Sequence, residues 1–501
     1  MGVMPSPEMI SRNDGVAAWG TITTVAESPV TPGILWAGTD DGNVQVSRDD
    51  GKTWTNVADR MSGAPKDSRV TRVEPSHKEA GTSYVSLDRH QWDDFKPSLY
   101  VTTDYGQTWK QIAAGLGETG WVNVVKEHPR NANVLFAGTE TGLYVSFNRG
   151  TQWIRLKNNL PTVPVDDILI HPRDNDLIVA THGRALYLID DITMFNDLTP
   201  DVLNSDSYLF QPRTATVQLS WKSESYVAQR EFQGPNPPSG ALLTYYLKAA
   251  SSGEVKMTVL DSAGKVIREM AAAKDAGLNR LVWDLRVTGP EGVNDSRGPF
   301  VLPGKYTVRL STGGRDVTGT IDVEHDAQLP LTDAERRARF TFLTSVNTLQ
   351  GKLQSASKAV STINTSITAL SDGFKKSSGT PPEIVTAANA ISEKVRDLQR
   401  KIGQQRGGGD GDEGGGGGGG LGGRINGLFT EIDGNQPSGP QQGTLTGPTA
   451  VQSQRLQEAT QDLNAIVDEL NALITKSIPD LTQRMNRANV PAFPMLEPVT
   501  K

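Results

Sequence analysis

The sequence predicts a mainly β fold: a set of repeated strand units, then a β-sandwich, then an α-helical bundle. Three observations carry this. The octapeptide Ser47–Trp54, SRDDGKTW, returns as Thr102–Trp109, TTDYGQTW, and as Ser146–Trp153, SFNRGTQW, and a repeat at such a period signals an array of equivalent units. Val44 and Val46, like Leu143 and Val145, alternate as short half-covered strands do. Beyond Leu331 the apolar spacing changes to three and four residues, the period of a helix.

Composition narrows the function classes. A length of 501 residues suggests about three domains. The formal charge of −7 and the absence of any dense Lys/Arg run argue against nucleic acid or an anionic membrane surface as partner. With no cysteine, disulfides, thiolate metal sites and cysteine nucleophiles are excluded. No apolar run is long enough to span a membrane, and the first residues, MGVMPSPEMISRNDG, have neither the basic start nor the apolar core of a signal peptide. The chain opens inside the repeat array, which reads as the C-terminal part of something longer.

Four units align between Trp19 and about Asp191. Each has an apolar strand, a turn, a second strand ending in a Gly-Thr-type corner, and a third strand; the first three then enter the octapeptide. Its chemistry suits a tight turn. Ser47, Thr102 and Ser146 supply a hydroxyl, Asp49 and Asp104 an acceptor for backbone N–H groups, Gly51, Gly106 and Gly150 a positive φ, and Trp54, Trp109 and Trp153 a cover. Asn148 replaces the acid in the third copy. A catalytic carboxylate would not survive that exchange, so the motif is structural. It resembles the Asp box of BNR-type β-propellers, which makes residues 1–195 a partial Asp-box β-propeller of about four blades. Four blades do not obviously close a ring, so the missing ones are expected from N-terminal sequence or from another chain.

The second unit is longer: Trp54 and Trp109 are 55 residues apart, against 44 for Trp109 and Trp153, because its turn has grown into SLDRHQWDDFKPSLY. Together with WGTITTVAESPVTPGILWAGTDDGNVQVSRDDGKTW and IVATHGRALYLIDDI, this loop resembles the large bacterial sortilin-type or "glycosyl hydrolase, BNR repeat" exported proteins, over residues 1 to about 330. That resemblance implies closing blades of a larger propeller, an extracellular or periplasmic location, and a rim that binds a protein, peptide or glycan.

Residues 196–240 read as a Pro-rich connector and 241–326 as an Ig-like β-sandwich, with Ser-Ala-Gly and Gly-Gly at its hairpins. This segment resembles the Ig-like modules of flagellar-hook-assembly and secretion-sorting proteins, which implies a spacer or docking element. Residues 331–404 and 449–488 form the helical bundle, as three helices opening on the capping pairs Thr332 with Glu335, Thr380 with Glu383 and Thr449 with Gln452. Their apolar seams suit a bundle within the chain, or coiled-coil self-association. Residues 405–448, glycine-rich, read as a flexible linker without a core.

No cofactor or metal site is expected, since no His/Asp spacing matches a metal signature. Asp40, Asp41 and Glu140 fall at repeated corners and read as turn residues; His128 and His171, each before a proline, do likewise. The grown loop is the candidate ligand site. Asp88, Arg89, His90, Trp92, Asp93, Asp94 and Lys96 gather charge and an aromatic on an expected rim, with His182 and Arg184 of the last corner on the same face. The plainer reading is that Trp92 pins the loop and its acids cap turns. Two function classes follow: a non-enzymatic binding or scaffold protein, or a glycoside hydrolase whose two carboxylates lie partly in missing blades.

Overall fold

The protein is described by a computed structural model over residues 20–157, 159–217, 234, 237–290, 298–327, 331–376, 379–403, 420–433 and 446–490. Trp19, much of the connector and the glycine tract 405–419 lie outside the described residues. The chain forms two compact units: 1–213 with 244–250 and 275–279, and 214–243 with 251–274 and 280–501.

The first unit is a row of antiparallel sheets, each a simple meander. Blade 1 holds β1 (Ile22–Glu27), β2 (Leu35–Thr39), β3 (Val44–Ser47) and β4 (Thr55–Asn56). Blade 2 holds β5 (Arg69–Pro75), β6 (Ser83–Arg89), β7 (Asp94–Thr102) and β8 (Lys110–Gln111). Blade 3 holds β9 (Val122–Glu127), β10 (Leu135–Thr139), β11 (Gly142–Ser146) and β12 (Ile154–Leu156). Blade 4, which lacks the octapeptide, stops at three strands: β13 (Val165–Ile170), β14 (Leu177–Thr181) and β15 (Leu186–Ile189).

Adjacent blades are joined along their first strands. Thr23 Oγ1 donates to the carbonyl of Val70 at 2.6 Å, and Thr71, its counterpart in blade 2, donates to Val122 at 2.6 Å. Val70, Val122 and Val165, one per blade, are fully buried at these junctions, each contributing roughly 1.5–3 kcal/mol by leaving water. At two of these junctions the Gly of the corner makes room for the valine. A Cβ on Gly38 would lie 2.3 Å from Val70 Cγ1, and one on Gly138 would lie 2.7 Å from Val165 Cγ1.

The Asp boxes are turns and blade-to-blade contacts at once. Thr102 Oγ1 accepts from Gly106 N–H at 2.9 Å, while Asp104 accepts from the backbone and hydroxyl of Thr108 at 2.8 and 2.6 Å. Asn148 accepts from Gln152 N–H at 2.9 Å, so the amide fills the carboxylate's place. Gly51, Gly106 and Gly150 have φ of 79°, 79° and 81°. In blades 2 and 3 the box then packs on the preceding blade: Gly106 against Val57, Gly150 against Ile112, the Trp109 ring edge-on to Trp36 at 6.2 Å, and Trp153 Nε1 donating to Ile112 O at 2.8 Å.

Past blade 4, α1 (Met194–Asp197) and α2 (Pro200–Asn204) close over blade 3. Phe195 meets Phe136 and Phe147 at 6.0 and 5.3 Å, and Asn131 Nδ2 donates to its carbonyl at 2.8 Å. Strand β16 (Ser207–Leu209) follows, then β17 (Ala215–Val217) and β18 (Ala241–Leu247), whose last residues pair with β16.

In the second unit β17, β19 (Val255–Leu260), β20 (Val266–Ala271), β22 (Gly304–Thr312) and β23 (Arg315–His325) form a sheet of order β17-β23-β22-β19-β20; β21 (Gly277–Trp283) precedes β22 in the chain. Its hairpins use the expected turns: Asp261 accepts from Ala263 and Lys265 N–H at 2.9 Å each, and Gly313 and Gly314 both have positive φ. Trp283 at the end of β21 is fully buried, edge-on to Tyr306 at 5.7 Å.

The helices are α3 (Asp333–Lys376), α4 (Pro382–Ile402), α5 (Leu421–Asp433), α6 (Ala450–Ala472) and α7 (Ile478–Arg487), the last two joined by a π turn at 473–477. Two expected caps are present. Thr332 Oγ1 accepts from Glu335 N–H at 3.3 Å while Glu335 accepts from Thr332 N–H at 2.8 Å, and Thr449 with Gln452 does the same at 3.2 and 2.9 Å. Thr380 is not a cap: α4 starts at Pro382 with Pro381 before it, where no side chain caps.

Within 405–448, residues 421–433 depart from the linker reading. Leu421, Ile425, Leu428, Phe429 and Ile432 form one apolar face of α5, buried against the other helices. Asp433 at its end is buried 2.9 Å from Arg286, whose guanidinium also lies 3.6 Å over the Phe300 ring. The glycines Gly422, Gly423 and Gly427 are tolerated because tertiary burial outweighs their roughly 1 kcal/mol helix penalty.

Candidate functional site

The starts of the first strands of blades 2, 3 and 4 border a cleft of about 510 Å³. Arg69 and Thr71 come from β5, Trp121 and Asn123 from the start of β9, and Pro164 and Asp166 from that of β13; corner residues Asp88, His90, Glu140 and His182 complete it. Equivalent positions in successive repeats face the same channel, which is how a repeat builds one site from distant sequence.

The grown loop is held against blade 3. Asp88, buried at the end of β6, accepts from His90 N–H at 2.8 Å, and its Oδ2 lies 2.7 Å from His90 Nδ1. The His90 ring stacks on Trp121 with centroids 4.3 Å apart, and Gly120 N–H donates to Phe95 O at 2.7 Å. Across the cleft His182 Nδ1 is 3.2 Å from Asp166 Oδ2. Below it, Arg72 of β5 reaches Asp167 of β13 at 2.5 Å, an ion pair spanning blades 2 and 4. Glu140 lines the same cleft. Burial pushes its carboxyl above the usual range and Asp166 adds to this, while His90, His182 and a hydrogen bond from Asn123 oppose it.

Of the residues singled out in the sequence, Asp88, His90 and His182 line this cleft. Arg89, Trp92, Asp93, Asp94 and Arg184 do not. Arg89 lies 5.7 Å over the Trp92 ring, Asp93 takes a left-handed φ of 57° as the loop turns, Asp94 accepts from Lys96 N–H at 3.4 Å, and Arg184 is exposed beside Gly183. Trp121, Asn123, Asp166 and Glu140 were not picked out as ligand residues. The signal that finds them is the repeat itself, since Thr23, Thr71, Asn123 and Asp166 hold one position in four units. Among the described residues no group of three or more His, Cys, Asp or Glu is placed to hold a metal ion, and no helix is long and apolar enough to cross a membrane.

The array can thus offer an open, mixed-charge cleft with one aromatic wall. His128 and His171 are turn residues: the Nδ1 of each accepts a nearby backbone N–H, from Arg130 at 3.2 Å and Asp174 at 3.1 Å.

The sequence pattern of the family described as "Sortilin, neurotensin receptor 3" matches residues 97–213. Comparison with curated proteins finds no match. Among solved structures, the chain is similar to YCF48 bound to D1 peptide, at 12% identity, TM-score 0.26, covering 60% of this chain and 82% of that one. It is similar also to the GH74 xyloglucanase from Xanthomonas campestris, at 14% identity and TM-score 0.27, with 61% of this chain and 44% of that one covered, so it spans under half of that enzyme. YCF48 from Cyanidioschyzon merolae matches at 13% identity and TM-score 0.24, over 61% of this chain and 96% of that one. The repeated blades and Asp boxes of the first unit are those of a β-propeller array, and its residues 97–213 are similar to the sortilin family.

Proposed function

We propose that this chain is an extracytoplasmic binding or scaffold protein whose propeller cleft takes a protein, peptide or glycan ligand. The observation that supports it is the convergence of Asp88, His90, Trp121, Glu140, Asp166 and His182, from three blades, on one open cleft. Paired His–Asp groups offer both donors and acceptors, and the aromatic wall offers apolar area, the mixture a ligand site needs. The Ig-like reading of 241–326 makes that segment a spacer or docking element. The test is panning of the full chain against a random-peptide display library and a glycan array, beside a His90→Ala, Trp121→Ala double variant. The expected result is a ligand set retained by the wild type and lost by the variant. Identical ligand sets, or none, would count against the proposal.

Glu140 supports a second reading, a glycoside hydrolase. A carboxyl whose pKa is raised by burial and by the neighbouring Asp166 has the character of a general acid next to a second carboxylate. Sugar release from a polysaccharide panel by the wild type, abolished in Glu140→Gln, would favour it; no release would leave binding as the function.

A further inference from the structure

We infer that the group this cleft selects is a cation, the Lys or Arg side chain of a peptide, seated against Glu140. The inference rests on the proposed reading of the cleft as the ligand site and adds what that site discriminates. Its ground is the charge of the lining. Three carboxylates, Asp88, Glu140 and Asp166, line the cleft against one guanidinium, Arg69, so with neutral imidazoles it carries a formal −2. Arg69 stands directly opposite Asp88 in the pairing of β5 with β6, and side chains directly opposed across a strand pair share one face of the sheet. Arg69 therefore offsets the acid of its own blade, and the acids of blades 3 and 4 are left.

Glu140 is the least compensated of the three acids. Asp88 and Asp166 have an imidazole at 2.7 and 3.2 Å, whereas among the described residues no Lys, Arg or His forms an ion pair with Glu140. Its side-chain hydrogen bond comes from the neutral amide of Asn123, while burial and Asp166 both oppose its charge. An opposite charge within about 4–6 Å is what favours the ionised form of such a group. The histidines supply acceptors beside it. The Nδ1 of His90 faces Asp88 and that of His182 faces Asp166; a carboxylate there keeps the proton on Nδ1 and leaves Nε2 of the neutral ring as a lone-pair acceptor. Among the described residues neither Nε2 has a protein partner. Asp166, His90 and His182 all lie close enough to act on the Glu140 carboxyl. Ammonium and guanidinium groups carry only donors, so the acceptors match them in kind and in sign.

The aromatic wall suits the stem of such a side chain. Trp121 lines the cleft, and Phe95, 45% exposed, lies 6.2 Å from its ring and extends the apolar surface. Lys and Arg lay their methylenes along surface of this kind while the charged end stays with polar partners. A flexible apolar stem ending in a cation is a peptide side chain; a sugar ring carries no such stem. An anionic ligand would meet the uncompensated acids and the two imidazole lone pairs, so the same lining rejects it.

Fluorescence anisotropy of the full chain with labelled peptides that differ only in a central Lys, Arg, Gln, norleucine or Glu tests this, at low and at high salt. Lys and Arg should bind at least ~10-fold more tightly than the others, and high salt should shrink that preference by screening. Glu140→Gln should abolish the preference. Asp59→Asn, which removes an exposed acid from the short turn after β4, outside the cleft, should leave it intact and so separate the cleft from the general field of an acidic chain. Equal affinity across the series, or a preference for Glu, either one lost in the His90→Ala, Trp121→Ala variant, would overturn the cation and leave the cleft as the ligand site. A preference for Lys and Arg that survives Glu140→Gln would also overturn it. Binding of an oligosaccharide but of no peptide would do the same, while no binding by any peptide or glycan would remove the proposed function as well.

Discussion

Asp104 and Asn148 do the same work with different charge, which locates the function of the Asp box in hydrogen-bond acceptance. Burial pushes the Asp104 carboxyl upward, but hydrogen bonds from the Thr108 hydroxyl and N–H outweigh it and hold the group below the usual carboxylate range. Asp104→Asn should therefore cost little, while Asp104→Ala, which leaves those donors without their acceptor, should cost about 1–2 kcal/mol in urea unfolding. His128 makes a pH-dependent contribution. Burial, with Arg130 second, pushes it down to about 4. The unfolded chain binds that proton near pH 6.5, so stability should fall as pH drops from about 6.5 towards 4, by up to about 3 kcal/mol. Glu127, raised by burial, has the opposite sign: it favours the folded state at low pH. Comparison with His128→Ser isolates the histidine. Ser28 and Ser76 make the same turn in blades 1 and 2, and the variant should show a flatter pH profile over that range.

At the scale of elements, strand periods and turn residues were legible because one face of each strand is covered and each hairpin needs a particular backbone. The blade order, the hairpins at 261–265 and 311–316, and the capped starts of α3 and α6 all follow from local pattern. Helix α5 did not, because glycine content masks its five-residue apolar face, whose partners are far away in sequence. Thr380 misled because two prolines follow it and move the helix start. A linker would tolerate Phe429→Ala without loss. The packed helix predicts a cost of about 3–5 kcal/mol in thermal or urea unfolding. Asp433→Ala should also be costly, by about 3–5 kcal/mol, because it leaves Arg286 buried without its partner.

For the whole molecule, three of the ten cleft residues were legible in the sequence. The grown loop announced itself by breaking the repeat spacing, and it brings Asp88 and His90 to the site, where His182 joins them. Trp121, Asn123 and Asp166 stayed hidden because each looks ordinary in its own strand; only the register of successive blades places them side by side. That the cleft of blades 2–4 is where this protein binds its ligand is tested most directly by amide hydrogen exchange of the full chain, with and without a ligand from the display or array selection. Protection at 88–95, 121–123, 164–166 and 182 is the predicted result; protection confined to the helices, with these segments unchanged, would contradict it.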